Sequence, residues 1–180
     1  YEQVVEAYLS GLEQWRQAGG DLSRIASVAS FFLSRIDTEV DKRLDALEDK
    51  ALADGLRGQA AIASATLAYN RYQALFSSPR WQTLAAAGAR TQRLLWASTS
   101  TKNPAYKDTL YAEAVIGRDT VDTLPPATLD AFRDHGVVVP DAIERGVDEA
   151  RALLIALEQH GVSMQAVTDA LVVDGVRQFT

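Results

Sequence analysis

Four hydroxyl side chains and a cation follow a short apolar run near the middle of this sequence. The apolar residues 94–96 lead through an alanine into the hydroxyl residues 98–101, and Lys102 comes next. Hydroxyl groups and an ammonium group donate hydrogen bonds, so Ser98 and Lys102 are candidate ligands for a phosphate monoester. The Asn-Pro pair at 103–104 predicts a helix start, whose free N–H groups also favour an anion. An ordinary polar loop before a capped helix explains the same residues equally well.

A second candidate anion ligand follows an earlier apolar run, in SFFLSRID at residues 30–37. Ser30 lies within the predicted strand, and Arg35 comes five residues later. Strict alternation along a strand would place these two side chains on opposite faces, so they converge only if the chain turns in between. Arg35 can then form a bidentate pair with a phosphate. The alternative is an ion pair from Arg35 to Asp37 or Glu39.

Other chemistry is less well supported by the residue types. Lys102 could act as a Schiff-base nucleophile, but four neighbouring hydroxyls and a solvated loop do not favour a lowered amine pKa. The carboxylates Asp37, Glu39 and Asp41 are explained by roles at a helix start predicted at Thr38. The sequence shows no metal-ligand cluster, glycine-rich phosphate loop or Ser/His/Asp set.

Composition excludes several classes of function. The chain has 180 residues, enough for one domain, and a formal net charge of -6, which argues against a nucleic-acid binder. It has no cysteine, as suits a reducing cytoplasm. It also has no apolar run near the ~20 residues that a membrane span needs. We predict a cytoplasmic protein that binds neither nucleic acid nor membrane.

The predicted elements alternate between helices and strands. Apolar patterning predicts strands within residues 23–36, 91–98 and 115–126, the first buried on both faces around residues 31–33. It also predicts a long charged helix from Thr38 to about Ala53. Strands that alternate with helices are typical of an α/β fold with a parallel sheet. A (β/α)8 TIM barrel needs ~250 residues, so three strands with many helices would supply only its C-terminal part. A plain helical interaction domain is the alternative if the strands are absent.

Four segments resemble transaldolase, in the longer bacterial form that also occurs fused to glucose-phosphate isomerase. They are SVASFFLSRIDTEVDKRLD, LRGQAAIASATLAYNRYQ, LLWASTSTKNPAYKDTLY and DTVDTLPPATLDAF. The resemblance runs almost end to end. It implies a (β/α)8 barrel of the pentose phosphate pathway that moves a dihydroxyacetone unit from sedoheptulose 7-phosphate to glyceraldehyde 3-phosphate. It also implies that no metal or organic cofactor is used, because a lysine forms the Schiff base itself.

The resemblance assigns roles to four residues of this sequence. Ser30 would line the substrate pocket near the bound dihydroxyacetone, and Arg35 would bind the substrate phosphate. Ser98 matches the hydroxyl that helps to hold this phosphate. Lys102 stands where many relatives place an arginine, in a loop two residues longer than in the short forms.

The sequence departs from the family at the chemical step. The family's Schiff-base lysine lies in a strand with a pattern like KIPAT, upstream of every segment quoted above, and its acid/base carboxylates lie on earlier strands. The four lysines of this chain, at 42, 50, 102 and 107, lack that context. We therefore expect residues 1–180 to be the C-terminal portion of a single transaldolase barrel domain, inactive until the missing N-terminal half completes it. A non-catalytic sugar-phosphate-binding or half-barrel assembly module is the alternative.

Overall fold

The chain folds as an α/β unit around a small parallel sheet. In the computed structural model, which describes residues 1–177, three strands lie in the order β1-β2-β3 and are surrounded by nine α-helices. The strands are β1 (Val28–Phe32), β2 (Arg93–Ala97) and β3 (Thr120–Asp122). The helices are α1 (Glu2–Gln17), α2 (Ser34–Leu44), α3 (Lys50–Leu56), α4 (Ala60–Leu75), α5 (Pro79–Ala86), α6 (Leu110–Ala114), α7 (Pro126–His135), α8 (Val147–Gln159) and α9 (Met164–Arg177), with 3₁₀ turns at Leu22–Arg24 and Ala142–Glu144. The predicted α/β class with parallel strands is confirmed, and the architecture is consistent with part of a TIM barrel.

The strands pair in parallel along their whole length. Phe32 at the end of β1 lies opposite Ala97 at the end of β2, and Leu95 in β2 lies between Ser30 and Val121 on its two neighbours. Parallel register brings the carboxyl ends of the strands to one edge of the sheet, where ligands bind in folds of this kind. The segments that follow β1 and β2 are therefore neighbours.

The two faces of the sheet differ in burial. Leu94 and Trp96 are fully buried and pack into the core formed with α2, α4, α6 and α8. On the other face, Val28 is 41% exposed and Phe32 is 44% exposed. The sequence predicted that β1 is buried on both faces. This prediction is wrong for the chain by itself, because the helical core packs against one face of the sheet only.

The helix after β1 begins earlier than its capping pattern predicted. Leu33 adopts α-helical dihedral angles and its carbonyl accepts from the N–H of Ile36 at 2.8 Å, so α2 starts at Ser34 without a loop. Thr38 lies inside the helix, where its hydroxyl donates to the carbonyl of Ser34 at 2.8 Å. The helix also ends at Leu44, and the next residues form the separate α3. Arg35 is consequently in the first turn of a helix.

The first helix packs through one apolar stripe. Val5, Leu9 and Leu12 are buried against Trp81 and Leu84 of α5, forming a second core beside the main one. The longest helices in residues 1–177 have 16 residues. None of the described helices combines the length and the apolar character needed to cross a membrane.

Candidate phosphate-binding site

Three of the four candidate residues line one cavity of about 340 Å³ at the carboxyl edge of the sheet. Arg35 comes from the first turn of α2, Ser98 follows β2 directly, and Lys102 lies four residues further along the same loop. Leu171 and Asp174 of α9 line the cavity as well. We call this space the cation cavity, because two cationic side chains line it.

The strand register explains why Arg35 and Ser98 meet. Beyond the paired strand ends, the N–H of Leu33 donates to the carbonyl of Ala97 at 2.9 Å, and the N–H of Ser34 donates to the carbonyl of Ser98 at 3.0 Å. Ser98 has a φ of 53°, a left-handed conformation that turns the chain away from the strand. The turn of α2 and the turn at Ser98 therefore begin side by side.

Ser30 lies in a neighbouring cavity of about 480 Å³, which it lines together with Arg35 and Phe32. The guanidinium carbon of Arg35 is 5.0 Å from the centre of the Phe32 ring, within cation–π range. Ser30 and Arg35 thus converge because the chain turns after Leu33. The two cavities share Arg35 and Leu171, whereas Ser30 does not line the cation cavity.

Arg35 does not form the ion pair that was the alternative explanation for it. Glu39 pairs with Arg43 at 3.1 Å, and the Asp37 carboxylate accepts hydrogen bonds from two other groups. No ion pair joins Arg35 to a carboxylate within residues 1–177. The guanidinium is therefore not neutralised by a carboxylate of the described residues.

The loop that carries Lys102 has a different local structure from the prediction. The side-chain oxygen of Asn103 accepts from the N–H of Ala105 at 3.0 Å, which makes a tight turn, and the next helix starts only at Leu110. The Nζ of Lys102 donates to the Ser100 hydroxyl at 3.0 Å. The predicted helix start at Asn103 is wrong, and the helix N-terminus beside the cation cavity is that of α2.

A third cavity of about 220 Å³ adjoins the cation cavity and shares Ser34, Thr38 and Lys102 with it. Its walls contain the buried carboxylates of Asp37 and Asp41, so we call it the carboxylate cavity.

Asp37 is 1% exposed, and burial raises the pKa of its carboxyl to about 6. The raised pKa does not make this group a free acid or base. Its two oxygens accept from the Ala61 N–H and the Tyr111 hydroxyl, each at 2.8 Å. Because Ala61 lies in the first turn of α4, Asp37 ties α2 to that helix.

Asp41, one turn further along α2, is also bound by protein donors. It accepts from the Tyr106 hydroxyl and from the N–H of Gly58. Burial and the neighbouring Asp41 carboxylate raise the pKa of the Tyr106 phenol, so this hydroxyl remains a donor. Gly58 has a φ of +67°, and a Cβ there would lie 2.8 Å from the Tyr106 ring. These contacts hold the end of the Lys102 loop against α2.

Sequence reasoning missed the role of these carboxylates and of Ser34. The signal was present in the helical spacing, because Asp37 and Asp41 alternate with Ile36, Val40 and Leu44 along the buried side of α2. An acidic pair inside an apolar stripe predicts buried carboxylates with partners. Their tyrosine partners lie more than 60 residues away, so the sequence could not identify them.

Metal binding has no evident place in the part of the chain that the structure describes. Residues 1–177 contain no group of three or more His, Cys, Asp or Glu side chains arranged to hold a metal ion. The cation cavity combines Arg35, Lys102, hydroxyl groups and a helix N-terminus with two carboxylates, those of Glu39 and Asp174. Glu39 is paired with Arg43 at 3.1 Å.

Fold and site together define a class of protein: a parallel α/β unit of the barrel type, with a cleft lined by two cationic side chains and hydroxyl groups at the carboxyl ends of its strands. The family model described as Transaldolase/Fructose-6-phosphate aldolase matches residues 1–180. The chain belongs to this family, and the family resemblance inferred from the sequence motifs is confirmed.

Curated relatives give the same result. The chain is 54% identical to a transaldolase of Parafrankia sp. (strain EAN1pec) and 53% identical to a transaldolase of Thermobifida fusca (strain YX), in each case over 99% of this chain and 48% of the relative. A transaldolase of Arthrobacter sp. (strain FB24) is 51% identical over the same shares. The chain therefore spans about half the length of the curated relatives that it matches.

Proposed function

We propose that this chain supplies the phosphate-binding half of a transaldolase active site. The complete enzyme would transfer a dihydroxyacetone unit from sedoheptulose 7-phosphate to glyceraldehyde 3-phosphate, in the pentose phosphate pathway. One observation carries the proposal: Arg35, Ser98 and Lys102, from two separate segments of the chain, line one cavity at the carboxyl edge of the sheet. Membership of the family supports the reaction assigned to it.

Each candidate residue has a role in this proposal. Arg35 forms a bidentate pair with the substrate phosphate, Lys102 adds a second positive charge, and Ser98 donates a hydrogen bond. Ser30, in the adjoining cavity, lies near the dihydroxyacetone part of the substrate. The shared position of Arg35 between the two cavities supports this division, because phosphate and carbon chain belong to one molecule.

Residues 1–180 are, in this proposal, the C-terminal portion of a single barrel domain, and the N-terminal half is the partner. Val28 and Phe32 are exposed along β1, so an apolar strip of the sheet is left for further strands or side chains to cover. The Schiff-base lysine and the acid/base carboxylates would come from that half. A cytoplasmic location stays a prediction that rests on the cysteine-free composition.

Replacement of Arg35 tests the phosphate role directly. In the enzyme completed by its N-terminal half, Arg35→Ala is expected to lower kcat/KM for phosphorylated acceptors roughly thirtyfold or more, since charged hydrogen bonds are lost. Activity with unphosphorylated dihydroxyacetone compounds should change little. Arg118→Ala is the matched control, because Arg118 is an exposed arginine paired with Asp141 away from the cavity. Equal losses for both kinds of substrate would show that Arg35 is structural.

Borohydride trapping tests whether the Schiff-base lysine lies in the N-terminal half and not in this chain. The 180-residue chain, mixed with a dihydroxyacetone donor and borohydride, should show no covalent adduct by mass spectrometry. The completed enzyme should show one on the N-terminal half. An adduct on Lys102 would contradict its assignment as a phosphate ligand.

A non-catalytic assembly module is the second candidate, and the exposed strip of β1 favours it. A half-barrel with 44% of Phe32 exposed would pair with another chain to bury that surface. Light scattering on the 180-residue chain, with and without phosphate, separates the cases. A monomer that binds no phosphate would count against both functions.

A further inference from the structure

Ser34 carries a buried hydroxyl without a partner. The residue is 1% exposed, and its side-chain oxygen has no hydrogen-bond partner within residues 1–177. Its backbone is fully used: the N–H donates to Ser98, and the carbonyl accepts from Thr38. A buried hydroxyl without a hydrogen bond costs free energy, so alanine at this position would give a more stable fold. Binding of a ligand by the hydroxyl would explain why a serine stands there.

The position of Ser34 indicates which ligand that is. It is the first residue of α2, and it lines both the cation cavity and the carboxylate cavity. Lys102 lines the same two cavities, and Arg35 is the next residue along the chain. The dipole of α2 favours an anion at this end of the helix. Arg35 and Lys102 therefore place two cationic groups beside Ser34, in a cavity whose lining also includes Glu39 and Asp174.

The carboxylate cavity does not offer a use for the hydroxyl. Asp37 and Asp41 lie one and two turns further along α2, and they already accept from Tyr111, Tyr106 and backbone N–H groups. Rotation about χ1 moves a serine hydroxyl between staggered positions without any change of backbone.

We propose that the Ser34 hydroxyl is a further ligand of the substrate, donating a hydrogen bond to a phosphate monoester held by Arg35, Ser98 and Lys102. The inference rests on the proposed phosphate-binding function and deepens it. A neutral hydroxyl adds a directional donor to a site whose other contacts are mainly charged, and it selects an oxyanion with several acceptor atoms. The orphaned group in the free protein becomes satisfied when the anion binds.

Two measurements on the 180-residue chain with inorganic phosphate as the probe test this assignment. Phosphate affinity is measured by isothermal titration calorimetry, and stability is measured by the urea midpoint without phosphate. Ser34→Ala should weaken phosphate binding roughly tenfold, the usual effect of losing a hydrogen bond to a charged group. The urea midpoint of the same variant should stay the same or rise, because no protein hydrogen bond is lost.

Ser78→Ala is the matched control. The Ser78 hydroxyl caps α5 by accepting from the N–H of Trp81 at 3.3 Å, far along the chain from the site. This variant should lower the urea midpoint and leave phosphate affinity unchanged, the reverse of Ser34→Ala. Comparison of the two variants then distinguishes a hydroxyl that binds the ligand from a hydroxyl that stabilises the fold.

The outcomes separate the phosphate site as a whole from the role of Ser34 within it. No phosphate binding by the unchanged chain, or no loss with Arg35→Ala, would overturn the phosphate site and the role of Ser34 with it. A loss with Arg35→Ala but none with Ser34→Ala would overturn the role of Ser34 alone. A fall in the urea midpoint of Ser34→Ala as large as that of Ser78→Ala would show a structural hydroxyl and also overturn it.

Discussion

The cation cavity and the carboxylate cavity share a wall, yet their charged groups are in opposite situations. In the carboxylate cavity, Asp37 and Asp41 each accept hydrogen bonds from a tyrosine and from a backbone N–H. In the cation cavity, Arg35 has no carboxylate partner within residues 1–177, and the nearby hydroxyl of Ser34 is unbonded. The fold therefore satisfies the acidic pair with its own donors and leaves the Arg35 guanidinium and the Ser34 hydroxyl without such partners among the described residues. We expect changes in the carboxylate cavity to alter stability and changes in the cation cavity to alter phosphate binding.

Asp37→Asn should have the largest effect, on the pH dependence of stability. The folded pKa of about 6 lies above the usual value of 3.8, so the protonated carboxyl favours folding and this contribution is lost as pH rises through about 6. Compared with the variant, the unchanged chain should lose about 3 kcal/mol of unfolding free energy between about pH 3.5 and pH 7. Urea denaturation across this range, with the exposed Asp148→Asn as control, measures the difference. Parallel pH profiles for the unchanged chain and Asp37→Asn would contradict the assignment.

Gly58→Ala should have the next largest effect. The left-handed backbone and the 2.8 Å approach to the Tyr106 ring leave no room for a Cβ, so the variant should lose about 2 kcal/mol of unfolding free energy. Gly55→Ala is the control, since a Cβ there meets nothing within 4 Å. If both variants lose the same stability in thermal or urea unfolding, the packing of Tyr106 on Gly58 does not matter.

Tyr106→Phe keeps the ring on Gly58 and removes only the donor to Asp41. We expect a loss of about 1.5 kcal/mol in unfolding free energy, because a buried carboxylate loses a charged hydrogen bond. Phosphate affinity should change less than twofold if the carboxylate cavity is structural. Tyr8→Phe, which removes an exposed hydroxyl bonded to the Arg90 carbonyl, should cost less. A tenfold loss of phosphate affinity in Tyr106→Phe would contradict the assignment of the carboxylate cavity to stability alone.

Lys102→Ala should have the smallest effect, and it should change phosphate affinity rather than stability. Lys102 is exposed and its ammonium group donates only to Ser100, so stability should not change measurably. Phosphate affinity should fall roughly fivefold, or about 1 kcal/mol, and the loss should shrink at high salt because exposed charges are screened. Calorimetric titrations at two salt concentrations measure this, with Lys50→Ala as control. An unchanged affinity would remove Lys102 from the phosphate site.

Much of the fold could be predicted from local patterns. The three strands follow from short apolar runs, and their parallel arrangement follows from the helices predicted between them. Helix starts were less reliable, as α2 and the Asn103 turn show. A capping residue indicates where a helix can begin, whereas α2 begins at Ser34, four residues before Thr38, with the Leu33 carbonyl accepting from the N–H of Ile36.

The sequence predicted the charged residues of the candidate site but not its buried ones. Arg35, Ser98 and Lys102 stand out by type, after apolar runs that end together. Ser34 and Tyr106 are ordinary in the sequence, and their importance lies in what surrounds them in space. A hydroxyl is orphaned only when neighbouring groups have been placed around it.

By itself the sequence determined the class of fold, the family and the residues able to bind an anion, because residue type and periodicity are local properties of the chain. Only the tertiary structure decided which charges are free. Whether Arg35 meets a carboxylate, and whether Asp37 meets a tyrosine, depends on the parallel register and on the packing of α2 against α4 and α6. Those contacts join segments 24 to 74 residues apart, a distance over which local pattern carries no information.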